Sequence, residues 1–212
     1  MYVIRLMLET ELIPAEEAVE PRLMIVLHGL GDSMDGYRWL PEAMRLPWMS
    51  YLLVNAPDPY YGGFSWYDLD GNQGVGIVRS RKLLMELLDH SRSHGFPTEK
   101  TVLFGFSQGC LMTIEMGARY PHLLAGLAGV SGYVFEPERL VRELSPQALQ
   151  QRFLVTHGTQ DPLIPIDHVR AQMIILRQAG LKIDWREFAK EHTIAGESEV
   201  SVVRNFVSES YV

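Results

Sequence analysis

Cysteine is almost absent from this chain, with Cys110 alone among 212 residues. One cysteine forms no intrachain disulfide, so nothing points to an oxidising compartment, and the clustered cysteines of a structural zinc site are lacking. Long apolar runs are missing too. The longest stretch without Asp, Glu, Lys or Arg runs from Tyr120 to Phe135, includes Pro121, His122 and glycines, and falls short of the roughly 20 apolar residues that cross a bilayer. Arg5, Glu9 and Glu11 interrupt any signal-peptide core near the start. Positive charge is scarce: 19 Lys and Arg stand against 26 Asp and Glu, a net charge of −7, which disfavours phosphate backbones and anionic lipid headgroups. These absences lead us to expect a cytoplasmic protein with no nucleic-acid partner and no integral membrane association. They leave the oligomeric state open, a homodimer included.

The remaining composition, 47% hydrophobic and 21% charged with 18 glycines and 12 prolines, excludes disorder and collagen. No internal repeat or linker divides the chain, so one domain over residues 1–212 is the economical reading. Short apolar, β-branched runs recur at Arg22–His28, Tyr51–Asn55, Thr101–Phe106, Ala125–Val130, Arg152–His157 and Leu181–Glu187, which reads as buried strands. Helical spacing predicts helices over Val75–His94, Ser107–Tyr120, Asp167–Ala179 (opened by Asp167 as N-cap and stopped by Gly180) and Gly196–Val207. Met1–Ile13 reads as one or two leading strands ended by Pro14. Such alternation predicts an α/β fold, a mostly parallel central sheet with helices on both faces. Ligands of such sheets bind beyond the carboxyl ends of the strands, so the residues there carry the functional argument.

Gly105-Phe-Ser-Gln-Gly109 follows the Thr101 strand and opens a helix. A tight strand-to-helix turn strains the serine backbone, and glycines two residues to either side let the crossing segments pass. Ser107 is therefore a candidate nucleophile. A serine hydroxyl needs a base, and the base an orienting acid, which this kind of fold supplies in the order Ser, Asp or Glu, His. Asp161 lies in the turn after the Arg152 strand and outcompetes Asp167, read as a helix cap, and Asp184, read as mid-strand. Of the two histidines beyond it, His192 stands in the loop before the last helix and is favoured over His168 on the helix surface. No close histidine pair has ligand spacing, and the chemistry calls for neither metal nor cofactor. Two backbone N–H donors complete the set, from Gln108 after the nucleophile and from Leu30 in the glycine-rich loop His28–Asp32.

Four segments together, His28-Gly-Leu-Gly-Asp32, Ser65-Trp-Tyr-Asp68, Gly105-Phe-Ser-Gln-Gly109, and His157-Gly-Thr-Gln-Asp-Pro162 followed by His192-Thr-Ile194, resemble the phospholipase/carboxylesterase family of α/β hydrolases, which includes acyl-protein thioesterases. The resemblance implies Ser107, Asp161 and His192 as a catalytic triad, the amides of Leu30 and Gln108 as oxyanion hole, and Trp66 beside the acyl pocket. Two positions depart from it. Glu191 stands where the family usually has glycine before its histidine, and Cys110 follows the serine turn where a smaller residue is common; Cys110 reads as a small buried apolar residue of the following helix, with alkylation of a thiol near the site as the alternative.

Tyr60, Tyr61, Phe64, Trp66 and Tyr67 crowd one loop, and Phe64, Trp66 and Tyr67 with Leu163 and Ile164 are candidate walls of an apolar substrate pocket. The short connection between the Ala125 and Arg152 strands leaves no room for a cap domain. The expectation is an open-pocketed serine esterase for a small-molecule ester or thioester of small to medium chain length. The alternatives are a thioesterase or lysophospholipase for long acyl chains, and a noncatalytic binding protein on the same scaffold.

Overall fold

The computed structural model describes residues 8–17 and 19–211. Its strands are β1 (Thr10–Ile13), β2 (Leu23–Leu27), β3 (Ser50–Val54), β4 (Asp58–Tyr60), β5 (Gly63–Ser65), β6 (Thr101–Phe106), β7 (Gly126–Val130), β8 (Arg152–Gly158) and β9 (Lys182–Phe188). The helices are α1 (Leu40–Met44), α2 (Gln73–Ser93), α3 (Gln108–Arg119), α4 (Pro137–Arg142), α5 (Ile166–Gln178) and α6 (Gly196–Ser208). Seven strands form one sheet in the order β1-β3-β2-β6-β7-β8-β9. The six parallel members are the six runs expected from sequence, with ends shifted by a residue or so. β1 adds an antiparallel edge against β3, with Thr10 opposite Val54 and Ile13 opposite Tyr51. It is the leading strand expected before Pro14; Met1–Met7 lie outside the described residues.

The strands are apolar at consecutive positions because both faces of the sheet are covered. Along β2, Leu23, Ile25 and Leu27 enter one core, and Met24 and Val26 the other. β6 and β8 divide likewise, Leu103, Phe153 and Val155 against Phe104 and Leu154. The first core is closed by Leu84, Leu87 and Leu88 of α2 with Leu111 of α3, the second by Met44 of α1 and Val203, Phe206 and Val207 of α6. Helices thus cover both faces.

The Asn72 side chain caps α2 by accepting from Val75 N at 3.3 Å. α5 starts one residue earlier than expected, with Pro165 as its N-cap, so Asp167 is not the cap. Instead it lies in the first turn, where the helix dipole favours a carboxylate, and pairs with Arg170 at 2.7 Å. Gly180 ends α5 with φ of 95°, and Leu181 N–H returns to Leu176 O at 3.2 Å. Between β7 and β8 the chain forms only short α4 and a 3₁₀ turn, and α4 packs against α3 and α5. The carboxyl ends of β2, β6, β8 and β9 converge on one edge of the sheet.

Candidate active site

β6 ends at Phe106 and α3 begins at Gln108, so Ser107 alone reverses the chain. It adopts φ 54° and ψ −114°, a strained backbone for any residue with a Cβ. The strain is held by Ser107 N–H donating to Val130 O at 2.9 Å and by Leu111 N–H donating to Ser107 O at 3.2 Å. A Cβ on Gly105 would run into the Gly109 carbonyl and the Thr113 hydroxyl, and one on Gly109 into the Leu27 carbonyl. This is the physical content of the glycine spacing.

His192, in the loop between β9 and α6, places Nε2 2.9 Å from Ser107 Oγ and Nδ1 2.7 Å from Asp161 Oδ2. A carboxylate only accepts, so Nδ1 carries the proton and the Nε2 lone pair faces the Ser107 hydroxyl. The Asp161 side chain is wholly enclosed. Its second oxygen accepts N–H from Leu163 at 3.0 Å and Ile164 at 2.9 Å. Burial pushes the carboxyl pKa up, but the Ile164 amide and His192, helped by the Leu163 amide, outweigh it and hold the group below the usual aspartate value. Behind Asp161, His157 donates from Nε2 to Ile164 O at 2.9 Å and steadies the same turn. Burial pushes its imidazole pKa down. His168 lies on the rim, where its Nε2 accepts from Gln172 Nε2 at 2.9 Å; it does not hydrogen-bond to Ser107 or Asp161.

A cavity of about 670 Å³ opens over Ser107, lined by Leu30, Gln108, Tyr67, Phe106, Leu163, Ile164 and His192 among others. Among the described residues, neither the Leu30 nor the Gln108 backbone N–H donates to a protein acceptor. Of the pocket walls expected from sequence, Tyr67, Leu163 and Ile164 line the cavity, but Trp66 and Phe64 do not. Trp66 is 0% exposed and turns inward, its Nε1 donating to His28 O at 2.9 Å. Phe64 is tied by its backbone to the loop after β2, where Gly31 N–H donates to Phe64 O and Phe64 N–H to Asp32 O, both at 2.9 Å. These two residues thus brace the Leu30 loop from behind. Tyr61, at the hairpin tip between β4 and β5, is 95% exposed.

Three contributors went unrecognised in the sequence. His28 donates from Nδ1 to Gly29 O at 2.6 Å and accepts Ala56 N–H on Nε2 at 3.0 Å, which fixes the loop bearing Leu30. Tyr67 OH donates to Tyr133 OH at 3.1 Å, and Tyr133 OH to Gln73 Oε1 at 3.0 Å, a polar ladder on the cavity wall. These side chains come from three separate segments, and no spacing rule links them. Glu191 faces solvent and is not among the residues with positive φ, so its position does not require glycine. Cys110 is fully buried and its thiol is pushed up to about 12 by burial, which leaves little thiolate to alkylate at neutral pH.

The sheet order, the strained serine turn and the chain of groups at the carboxyl edge define an α/β hydrolase. The family model described as Phospholipase/Carboxylesterase matches residues 8–211, and the chain belongs to that family. It is 30% identical over 217 residues to acyl-protein thioesterase 1 of Yarrowia lipolytica, which covers 93% of this chain and 95% of that protein. With acyl-protein thioesterase 1 of Schizosaccharomyces pombe it shares 32% identity over 155 residues, 67% of this chain and 69% of the other. The crystal structure of esterase PE8 superposes with a TM-score of 0.85 at 25% identity, covering 95% of this chain and 98% of that one. The Bacillus cereus carboxylesterase shares the fold, with a TM-score of 0.82 at 18% identity over 97% of this chain and 95% of that one.

Proposed function

We propose that this protein is a serine carboxylesterase that hydrolyses esters or thioesters of small to medium acyl groups through an acyl-enzyme on Ser107. The observation that carries the reading is the continuous chain Ser107–His192–Asp161, at 2.9 and 2.7 Å, beside two unpaired backbone N–H groups. His192 Nε2 takes the Ser107 proton as Oγ bonds to the acyl carbon, and the oxyanion receives N–H from Leu30 and Gln108. Asp161 holds the Nδ1 proton and stabilises the imidazolium. Collapse of the tetrahedral adduct breaks the bond to the alcohol or thiol, which leaves with the proton from His192. Water then attacks the acyl-enzyme by the same route and frees the acid. These steps require no metal or cofactor. The likeness to acyl-protein thioesterases supports a second reading, hydrolysis of long-chain thioesters, in which Leu163, 70% exposed at the cavity rim, extends the apolar wall outward.

Ser107→Ala is expected to keep the far-ultraviolet circular dichroism of the parent, to lose at least about 10⁴-fold in kcat on p-nitrophenyl acetate, and to escape fluorophosphonate labelling. A variant that turns over at the parental rate overturns the assignment. A parent that the probe does not label favours a noncatalytic binding protein.

A further inference from the structure

His192 sits in a loop, yet triad chemistry needs its ring held to a fraction of an ångström. The backbone bonds of the loop are few: Lys190 N–H donates to Phe188 O and Thr193 N–H to Glu191 O, both at 2.9 Å. An ion pair adds side-chain support. Lys190 is 5% exposed and Glu199 on α6 is 0% exposed. Lys190 Nζ donates to Glu199 Oε1 at 2.6 Å, to Oε2 at 2.7 Å and to the Thr193 carbonyl at 2.7 Å. Glu199 Oε2 also accepts Ala195 N–H at 2.7 Å. The pair therefore grips the backbone one and three residues after His192, while Lys190 itself stands two residues before it. The Lys190 carbonyl accepts Gln160 N–H at 3.0 Å, which ties the same residue to the turn bearing Asp161.

Two buried charges are a poor source of stability, because the cost of taking them out of water offsets most of their attraction, and apolar residues of the same volume fill such a site as well or better. Burial pushes the Lys190 ammonium pKa down, against the pull of Glu199. What apolar residues lack is the ability to bond Thr193 O and Ala195 N–H and so dictate the path of the loop.

We propose that Lys190 and Glu199 are positioning residues for the hydrolysis, setting the depth and angle at which the loop presents His192 to Ser107 and Asp161. The proposal rests on the reading of Ser107, His192 and Asp161 given above. It goes beyond that reading in assigning the geometry of the base to a buried charge pair on α6 and the loop.

The test replaces the pair by Lys190→Met with Glu199→Leu and, separately, changes Glu199→Gln, which keeps an acceptor for Ala195. Rates are expressed per active site, counted by fluorophosphonate titration, so partial unfolding does not imitate a catalytic loss. The double variant is expected to melt near the parental temperature while kcat on p-nitrophenyl acetate falls about 30- to 100-fold and KM changes less than about threefold, the scale of a catalytic group displaced by about 1 Å. Glu199→Gln is expected to lose less, about three- to tenfold in kcat, because the contacts to Thr193 and Ala195 survive while the charge attraction that sets their geometry is lost. Parental kcat per site in the double variant, or a loss confined to KM, overturns the proposal. If the double variant does not fold, Glu199→Gln decides alone: a fall confined to kcat supports the positioning role and a parental kcat overturns it. Ser107→Ala, assayed alongside, separates the two readings. If it is active, the catalytic assignment fails; if it is inactive while the Lys190 and Glu199 variants are parental, only the positioning role fails.

Discussion

Asp161 is the most enclosed of the three groups in the hydrogen-bonded chain, and its ionisation couples the site to the stability of the fold. Its pKa lies below the unfolded value because the amide and imidazole donors outweigh burial. The carboxylate therefore stabilises the folded state at any pH above the unfolded aspartate value of about 3.9, and that contribution is lost as pH falls through the lower folded value. Asp161→Asn removes it. Thermal melts from pH 8 to pH 3 are expected to show the variant less stable near neutrality and the two proteins converging in acid; a constant gap across the range contradicts the ionised carboxylate. The same variant is expected to lose about 10³- to 10⁴-fold in kcat, since an amide donor turns the His192 tautomer the wrong way. At this scale Ser107, Asp161 and His192 could be picked out because each follows a strand that can be read from local pattern. Trp66 could not be placed, because the direction of its ring depends on His28, which lies far away in the sequence.

Between elements, the Gln108 side chain does work that its place in the serine turn does not announce. Its backbone N–H was foreseeable from the motif, but its buried amide joins the first turn of α3 to the segment after β5. Oε1 accepts from Trp66 N at 2.9 Å and Ser65 Oγ at 3.2 Å, and Nε2 donates to Tyr67 O at 2.8 Å. Gln108→Ala strands the Trp66 N–H away from water, while the Tyr67 carbonyl keeps the Ser65 hydroxyl at 2.7 Å, at an expected cost of about 1–3 kcal/mol. Denaturant unfolding measures that loss, and hydrogen exchange should show the Trp66 amide opening first. A loss under about 0.5 kcal/mol means that the segment finds other partners. The long helices and the six parallel strands were legible because burial imposes their periods over many residues. β4, β5, α1 and α4 are too short to show a period, and their formation is decided by neighbours such as the loop after β2.

For the molecule as a whole, the sequence foretold an open site from the lack of residues for a cap, and the cavity above Ser107 has apolar walls with a rim at Leu69 and Leu163 that faces solvent. Its volume of about 670 Å³ is within the range of small-molecule sites, which the sequence could not size because its lining is drawn from six separate segments. Among the described residues no helix is long and apolar enough to cross a membrane. Each methylene buried in the cavity is worth about 0.8 kcal/mol, close to fourfold in kcat/KM. Across p-nitrophenyl esters and matching acyl thioesters, kcat/KM is expected to climb by up to that factor per methylene and to flatten by about ten carbons, where the chain passes the Leu163 rim and further methylenes stay wet. A climb that continues unbroken to sixteen carbons, about the length of a lipid acyl chain, requires a closed channel that these walls do not form. That outcome would move the assignment from a small-ester hydrolase to a long-chain thioesterase, with Ser107, His192 and Asp161 in the same roles.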